Sequence, residues 1–408
     1  MEHLQKLIYW YRSICLQKKW RSKRKRKGTI RLYVRDVAQL FRRLEEHNIR
    51  YLVLRWFQEV PTTIEEEKDN ANDVDLLIEV EGNLPTIAQL VSRQPGHFKC
   101  DLYSTSGRFG TSYLGMPYYP PVLARQLLDT RIRHESGFYI PSRKNQFLSL
   151  AYHLTYHKGL ESGIPSGCEL PANPHPKRPY GQLLENLGKE LGIDLPTPYT
   201  LLGLHYFLKQ NDWDMPYDLL ERWPRRTDWH KKLLEVELGI IDEDARRLPH
   251  ILVFFIREDM VKEKKEDFIL NLIREKFRIL EMVNLSEEQS NRVMRQVRGG
   301  NWLKYKGTET IGPAIAVCCH DDHPIPIDKS DTKRNTLYPL VSNQNAFHKH
   351  EIRKRLAEES GSEDRVNGIH GSDNAYESQH MLRAIFGQEQ IPTINRLLLE
   401  KIKNHFSL

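Results

Sequence analysis

Cysteine is scarce and unpatterned in this chain. Its 408 residues hold five (Cys15, Cys100, Cys168, Cys318 and Cys319), with no Cys-x-x-Cys pair among them. An odd, scattered set provides neither a disulfide framework nor a zinc site, and it fits a reducing compartment. Long apolar runs are missing too. Nothing approaches the roughly 18 consecutive apolar residues that a membrane-crossing helix takes, and no internal repeat occurs. The length still suffices for two or three domains, each with its own core.

Net positive charge is also absent from most of the chain, although the formal net charge is +7. Residues 1–28 hold ten Lys or Arg (Lys6, Arg12, Lys18, Lys19, Arg21 and the run Lys23 to Lys27) against Glu2 alone, which leaves 51 Lys/Arg against 53 Asp/Glu in the remainder. A body without net positive charge has no electrostatic reason to take nucleic acid as its main partner. Within the basic leader, Leu4, Leu7, Ile8, Tyr11, Ile14 and Cys15 recur at helical spacing ahead of the charge run. Two readings stand: an interfacial helix whose basic end meets an anionic membrane surface or nucleic acid, or a leader docked on its own protein. A secretory signal does not fit, because the apolar stretch is short and broken by charge. The expected location is cytoplasmic, with peripheral membrane attachment as an option.

From Thr29 the chain reads as strands and one amphipathic helix. Val37, Leu40, Phe41 and Leu44 mark the helix, and "RYLVLRWF", "DVDLLIEV" and "HFKCDLYS" are short runs rich in strand formers. Residues from about 120 to 235 read as mainly helical, interrupted by the Pro/Gly-rich loop "GIPSGCELPANPHPKRPYG". From about Pro249 the order becomes strand ("HILVFFIRED"), helix ("EDFILNLIREKF"), strand ("RILEMVNL"), helix ("SEEQSNRVMRQV") and strand ("GPAIAVCC"). The expected organisation is a leader over 1–28, an α/β domain over 29–135, a helical region over 136–248, a second α/β domain over 249–390 and a terminal helix over 391–408.

Two constellations carry chemistry. Asp73-x-Asp75 places two carboxylates on one face of a strand, and Asp101 lies within what is expected to be the adjacent strand. Three convergent carboxylates are a donor set for Mg2+ or Mn2+, which would bridge the phosphate oxygens of ATP or another nucleoside triphosphate and activate an acceptor hydroxyl. This passage resembles divergent members of the nucleotidyltransferase superfamily, such as domains of bacterial polysaccharide-biosynthesis proteins. It departs from them where they carry Gly-Ser before the Asp pair: here stand Leu54-Arg55-Trp56-Phe57. Arg55 is the candidate replacement as a phosphate contact, because guanidinium binds phosphate bidentately.

The second constellation is "RVNGIHGSDN", residues 365–374. With the strand–helix order from Pro249 it resembles the nucleoside diphosphate kinase family across roughly residues 250–390. The resemblance implies a ferredoxin-like domain in which His370 is phosphorylated by a nucleoside triphosphate and then phosphorylates an acceptor. A neutral imidazole is a competent nucleophile for such a two-step transfer. By the same resemblance Asn367 contacts the nucleotide sugar, Ser372 supports the imidazole, Arg353 and Ser342 contact phosphate, and Trp302 stacks on the base. The chain departs from the family at four places. Arg257 replaces a phosphate-contacting lysine and Glu258-Asp259-Met260 replaces Pro-Asp-Gly. Met294 stands for a tyrosine, and Met381 for the glutamate that orients the imidazole, with Glu377 one turn earlier.

Histidines elsewhere have plainer readings. His153 and His157, at i and i+4 before Lys158, suit a metal pair less than a capping or interdomain hydrogen-bonding role, because no third ligand accompanies them. Lys158 has a further option, facing the cleft toward a substrate phosphate. His348 and His350 read as surface. The expectation is therefore a mixed α/β transferase of phosphorus-containing groups acting on a small or glycan acceptor. The catalytic candidates are His370, Asp73, Asp75 and Asp101, with oligomerisation open. A nucleotide-sensing protein with both sites degenerate, or a nucleic-acid-modifying enzyme tethered by its leader, are the other options.

Overall fold

A computed structural model describes residues 2–25, 29–60, 73–79, 83–108, 110–223, 227–297, 302–303, 309–328, 330–332, 335, 338, 340–361 and 367–406. Arg365 and Val366 of the histidine signature, and Arg26 and Lys27 of the leader, lie outside them. The chain divides into two compact units, Met1–Met215 with Arg222–Leu233, and Pro216–Glu221 with Leu234–Leu408. The helical stretch expected over 136–248 forms no third unit, since its residues are divided between these two.

Unit 1 opens with helix α1 (Glu2–Lys25), followed by β1 (Ile30–Val34), α2 (Val37–Glu46), β2 (Tyr51–Val53), β3 (Val74–Ile78), α3 (Leu84–Arg93) and β4 (Phe98–Ser104). Asp36 starts α2, its carboxylate accepting from the Gln39 N–H at 2.7 Å. Val37, Leu40, Phe41 and Leu44 are all buried on one side of that helix, as their spacing requires. The sheet order is β1-β4-β3-β2, with β4 parallel to β3 and the other pairs antiparallel. Alternation divides its two faces. Ile30, Leu32, Val34, Val74, Leu76, Ile78, Cys100 and Leu102 join the core with residues of α2 and α3, which leaves Arg31, Asp75, Lys99 and Asp101 for the opposite face. Beyond it lie α4 (Pro121–Asp129), the ribbon β5 (Ile132–Arg133) with β6 (Tyr139–Ile140), α5 (Arg143–Tyr152), a π-helical turn (His153–Lys158), α6 (Tyr180–Leu191) and α7 (Leu201–Gln210). Helix α3 is an addition to the sequence reading; Glu79 to Asn83 separate it from β3, and Pro85 stands in its first turn.

The leader is not a loose tail in its described part. Ser13 and Trp20 of α1 are buried, and Leu16 packs against the same core.

Unit 2 comprises α8 (Tyr217–Glu221), the later part of α9 (Asp228–Arg247), β7 (Ile251–Arg257), α10 (Glu258–Lys262), α11 (Glu266–Arg274), β8 (Arg278–Asn284), α12 (Glu287–Gln296), β9 (Pro313–His320), α13 (His348–Glu359), β10 (Ile369–Gly371), α14 (Ala375–Phe386) and α15 (Ile391–Phe406). Its sheet runs β10-β7-β9-β8 with every neighbour antiparallel. Both faces are covered. Val253, Phe255, Ala316 and Cys318 pack with Met381 and Leu382 of α14 on one side; Phe254, Ile256, Val317 and Cys319 pack with Ile269 of α11 and Ile352 of α13 on the other. A strand covered on both faces reads as continuous apolar sequence, which is why "ILVFFI" shows no alternation.

At Gly371 an added Cβ would sit 2.6 Å from Phe254 Cδ1, within the packed ring. Gly371→Ala is expected to lower unit 2 stability by about 1–3 kcal/mol through overpacking. Urea unfolding monitored by circular dichroism checks this; an unchanged midpoint would contradict so close an approach of β10 to β7.

Candidate functional site

The carboxylate site is built by strand register. Asp75 and Asp101 are Cα partners on the parallel pair β3 and β4, and Arg31 is the partner of Asp101 on β1. Asp73, two residues before Asp75, adds a third carboxylate to the same face. Each carboxylate meets a cation. Arg55 Nη2 lies 2.5 Å from Asp75 Oδ2, and Arg31 Nε 3.2 Å from Asp101 Oδ1. The Lys99 ammonium bonds Asp73 and lies 3.6 Å from Asp101 Oδ2, between the two. Burial pushes the Asp101 carboxyl above the usual carboxylate range; Lys99 and Arg31 pull it back, while Asp75 and Asp73 add to the rise. For Lys99, burial opposes the charge, but its bond to Asp73 and the field of Asp101 prevail and raise it.

Arg55 reaches Asp75 because the chain turns sharply after β2. The Leu54 N–H still bonds Asp75 O at 3.0 Å, and Trp56 then takes a left-handed backbone with φ of 57°. That conformation is uncommon for a bulky residue. It is braced by the Arg178 guanidinium 4.0 Å over the Trp56 ring, and Arg178 makes two bonds to Glu59. The Arg55 guanidinium is buried and sits 5.2 Å from the Tyr118 ring centroid. The turn after β2 thus carries a part-buried ion pair backed by an aromatic ring.

Behind Arg55 lies a cluster that the sequence did not single out, apart from its two histidines. His157 stacks on Tyr118 with centroids 4.1 Å apart, and Tyr113 and Trp223 meet it edge-on. The His157 Nε2 pairs with the Tyr118 carbonyl at 2.9 Å, and His153 Nδ1 pairs with the Tyr118 hydroxyl at 2.7 Å. Both histidines therefore serve hydrogen bonding inside unit 1. Lys158 lies with its Nζ 5.6 Å from the Tyr180 ring centroid.

As the side chains stand, no three His, Cys, Asp or Glu groups among the described residues surround one metal position. The donor chemistry nonetheless fits a divalent cation. Three hard carboxylate oxygens on one face suit Mg2+ or Mn2+, and the ammonium of Lys99 is a cation already shared by two of them. The Lys99 side chain is 23% exposed.

The histidine site in unit 2 is more closed. His370 is buried on edge strand β10, opposite Phe255 and edge-on to Trp302 with centroids 6.0 Å apart. Trp302 is fully buried within the core, its indole N–H donating to Val297 O. Arg257 is buried and donates to the carbonyls of Asn367, Trp302 and Ile311 at 2.6–3.1 Å. Arg353 directs Nε and Nη2 to Ile369 O. Ser372 Oγ accepts from the Val253 N–H and from Ser378 Oγ, tying β10 to β7. Ser342 is exposed. Met294 flanks the core and Met381 lies inside it. The Glu377 carboxylate accepts from the Asp373 N–H at 2.5 Å, and the Glu377 N–H bonds Asn374 Oδ1 at the start of α14. Next to them is a buried ion pair, Lys349 with Asp373, which the sequence did not indicate; Lys349 also donates to Gly371 O at 2.6 Å. Its only sequence signal is a lysine on the apolar side of α13, in register with Ile352 and Leu356. His348 is half-buried, bonded to Leu272 O at 2.9 Å, whereas His350 is exposed as expected.

Set against known proteins, the chain matches no family model, no curated protein and no solved structure.

Burial holds His153 and His157 well below the ordinary histidine pKa of 6.5, with Arg55 adding to the effect. It lowers His230 too, against its bond to the Tyr156 carbonyl. Unfolded imidazoles protonate around that pH while these stay neutral, so the unfolded state binds more protons and stability falls as pH drops below 6.5. Over the first pH unit below it the loss is about 1 kcal/mol per imidazole. Urea unfolding across that range should show the loss, and His157→Gln should reduce it by about 1 kcal/mol. A flat profile would mean that these histidines charge freely in the fold.

Proposed function

We propose that unit 1 is a nucleotidyltransferase-like domain that takes a nucleoside triphosphate against the row Asp73, Asp75 and Asp101 and passes its nucleotidyl group to a hydroxyl of a small or glycan acceptor. The observation that carries this reading is the parallel register of β3 and β4, which sets Asp75 beside Asp101 with Asp73 on the same face. Those three residues would hold Mg2+ or Mn2+, which when bound neutralises phosphate charge and acidifies the acceptor hydroxyl. Arg55 is a positioning residue: its bond to Asp75 fixes that carboxylate from beneath. Arg31, half-exposed at the other side of the row, is the cation available to incoming phosphate oxygens.

For unit 2 the strand order, with the fourth strand beside the first and the third between first and second, supports a ferredoxin-like domain of nucleoside diphosphate kinase type. A specific observation weighs against phosphoryl transfer from His370 there. Arg257 and Arg353, the cations placed to meet phosphate, donate to main-chain carbonyls, and Trp302 is buried away from any base.

Pyrophosphate release tests the unit 1 reading. With Mg2+, each of the common nucleoside triphosphates and a set of sugar and polyol acceptors, the whole chain should release pyrophosphate as the nucleotidyl group bonds to an acceptor hydroxyl, and Asp73→Asn with Asp101→Asn should lower the rate by about 100-fold or more. Tight nucleotide binding without pyrophosphate would replace transfer by sensing; neither binding nor release would remove both. For unit 2, incubation with γ-phosphate-labelled ATP should leave no acid-labile label on the protein beyond that of His370→Ala. Label lost on that substitution would restore His370 as a phosphohistidine nucleophile.

A further inference from the structure

Helix α1 has two dissimilar sides. Successive residues turn by about 100°, so Ser13 and Trp20, which are buried against the body, fall together. Leu4, Leu7 and Tyr11 fall on the opposite side, flanked by Ile8 and Trp10, and these five are between 41% and 65% exposed. The same exposed side continues into cations: Lys18 lies two turns beyond Tyr11 and Arg21 four turns beyond Leu7, both exposed. On the flank of the helix a pocket of about 380 Å³ has Leu16, Tyr33, Val91 and Pro95 at its wall and Arg12 and Lys19 beside them.

We propose that α1 is a membrane-surface helix that lies on an anionic phospholipid bilayer. Leu4, Leu7 and Ile8 enter the acyl boundary, Trp10 and Tyr11 sit at headgroup depth, and Lys18, Lys19 and Arg21 meet lipid phosphates. The flanking pocket, apolar with two cations, suits the junction of one headgroup and its chains. Charge decides against a second copy of the same helix, because residues 1–28 carry ten cations against one carboxylate and two such helices repel. The aliphatic residues decide against nucleic acid, which offers phosphates to the lysines but no apolar medium for Leu4, Leu7 and Ile8. Among the described residues no helix is long and apolar enough to cross a membrane, so α1 lies on the bilayer and does not span it. The inference is independent of what unit 1 or unit 2 catalyses.

Sedimentation of the whole chain with vesicles tests it. The protein should pellet with phosphatidylglycerol-containing vesicles and stay in the supernatant with pure phosphatidylcholine. The variant Leu4→Glu/Leu7→Glu/Tyr11→Glu changes only exposed side chains and should lose the binding, with circular dichroism unchanged. Lys18→Gln/Lys19→Gln/Arg21→Gln should weaken it about a hundredfold, from about fivefold per cation near an anionic surface. No pelleting with the anionic vesicles overturns the proposal. So does pelleting that the Glu variant retains, or a preference for duplex RNA or DNA over vesicles that the Glu variant leaves intact.

Discussion

The structure around the candidate site depends on one constraint, the neutralisation of three carboxylates held on one face of a sheet. Strands β3 and β4 are parallel and in register, which fixes Asp75 next to Asp101. Two full charges at the ~5 Å spacing of neighbouring strands repel by about 3 kcal/mol at an effective dielectric of about 20. Asp73 adds a third. The chain answers with Arg31 from β1, Lys99 from β4 itself and Arg55 from the turn after β2. Those three cations come from three different segments, and each segment is shaped to deliver its own. Trp56 accepts a left-handed backbone so that Arg55 can turn back, and Arg178 with Glu59 braces that turn. Tyr118 then covers the buried guanidinium and organises His153 and His157 around itself. Burial keeps the two histidines neutral, and the buried arginine beside them adds to the effect.

Unit 2 resolves a similar demand differently. Its arginines near the histidine signature are turned inward, where main-chain carbonyls left over at strand ends and loops need donors. Arg257 has five N–H groups in a planar fork and can serve three carbonyls at once, which a lysine at the same place could not do with fixed geometry. Arg257 is thus a structural clasp between β7, Asn367 and the segment of Trp302. Lys349 and Asp373 form a second clasp, from α13 to the turn after β10. His370 is held in a well-packed wall, and the groups that surround it hold the fold together.

Much of this was legible beforehand. Helix α2 and the strands of unit 1 follow from periodicity, and the burial of Val37, Leu40, Phe41 and Leu44 matches it residue for residue. The βαβαβ order after Pro249 and the loop over 163–179 lie where the sequence places them. The alternation of β3 and β4 was enough to expect Asp73, Asp75 and Asp101 on one face. Helix α3 was less legible, because its ten residues carry no acidic first turn and no side-chain cap. The cations were not legible at all. Arg31 and Lys99 are ordinary charged residues in alternating strands, and only the pairing of β1 with β4 brings Arg31 to Asp101.

What the sequence by itself determined is local: which segments are helix or strand, which side of each is apolar, and that carboxylates two residues apart share a face. These depend on the chain's own 3.6- and 2-residue periods. Only the tertiary structure decided what faces those carboxylates, whether Arg257 points at solvent or at carbonyls, and which side of α1 is covered. Each of those answers is set by a partner tens of residues away, through strand order and register, and no local period encodes a register.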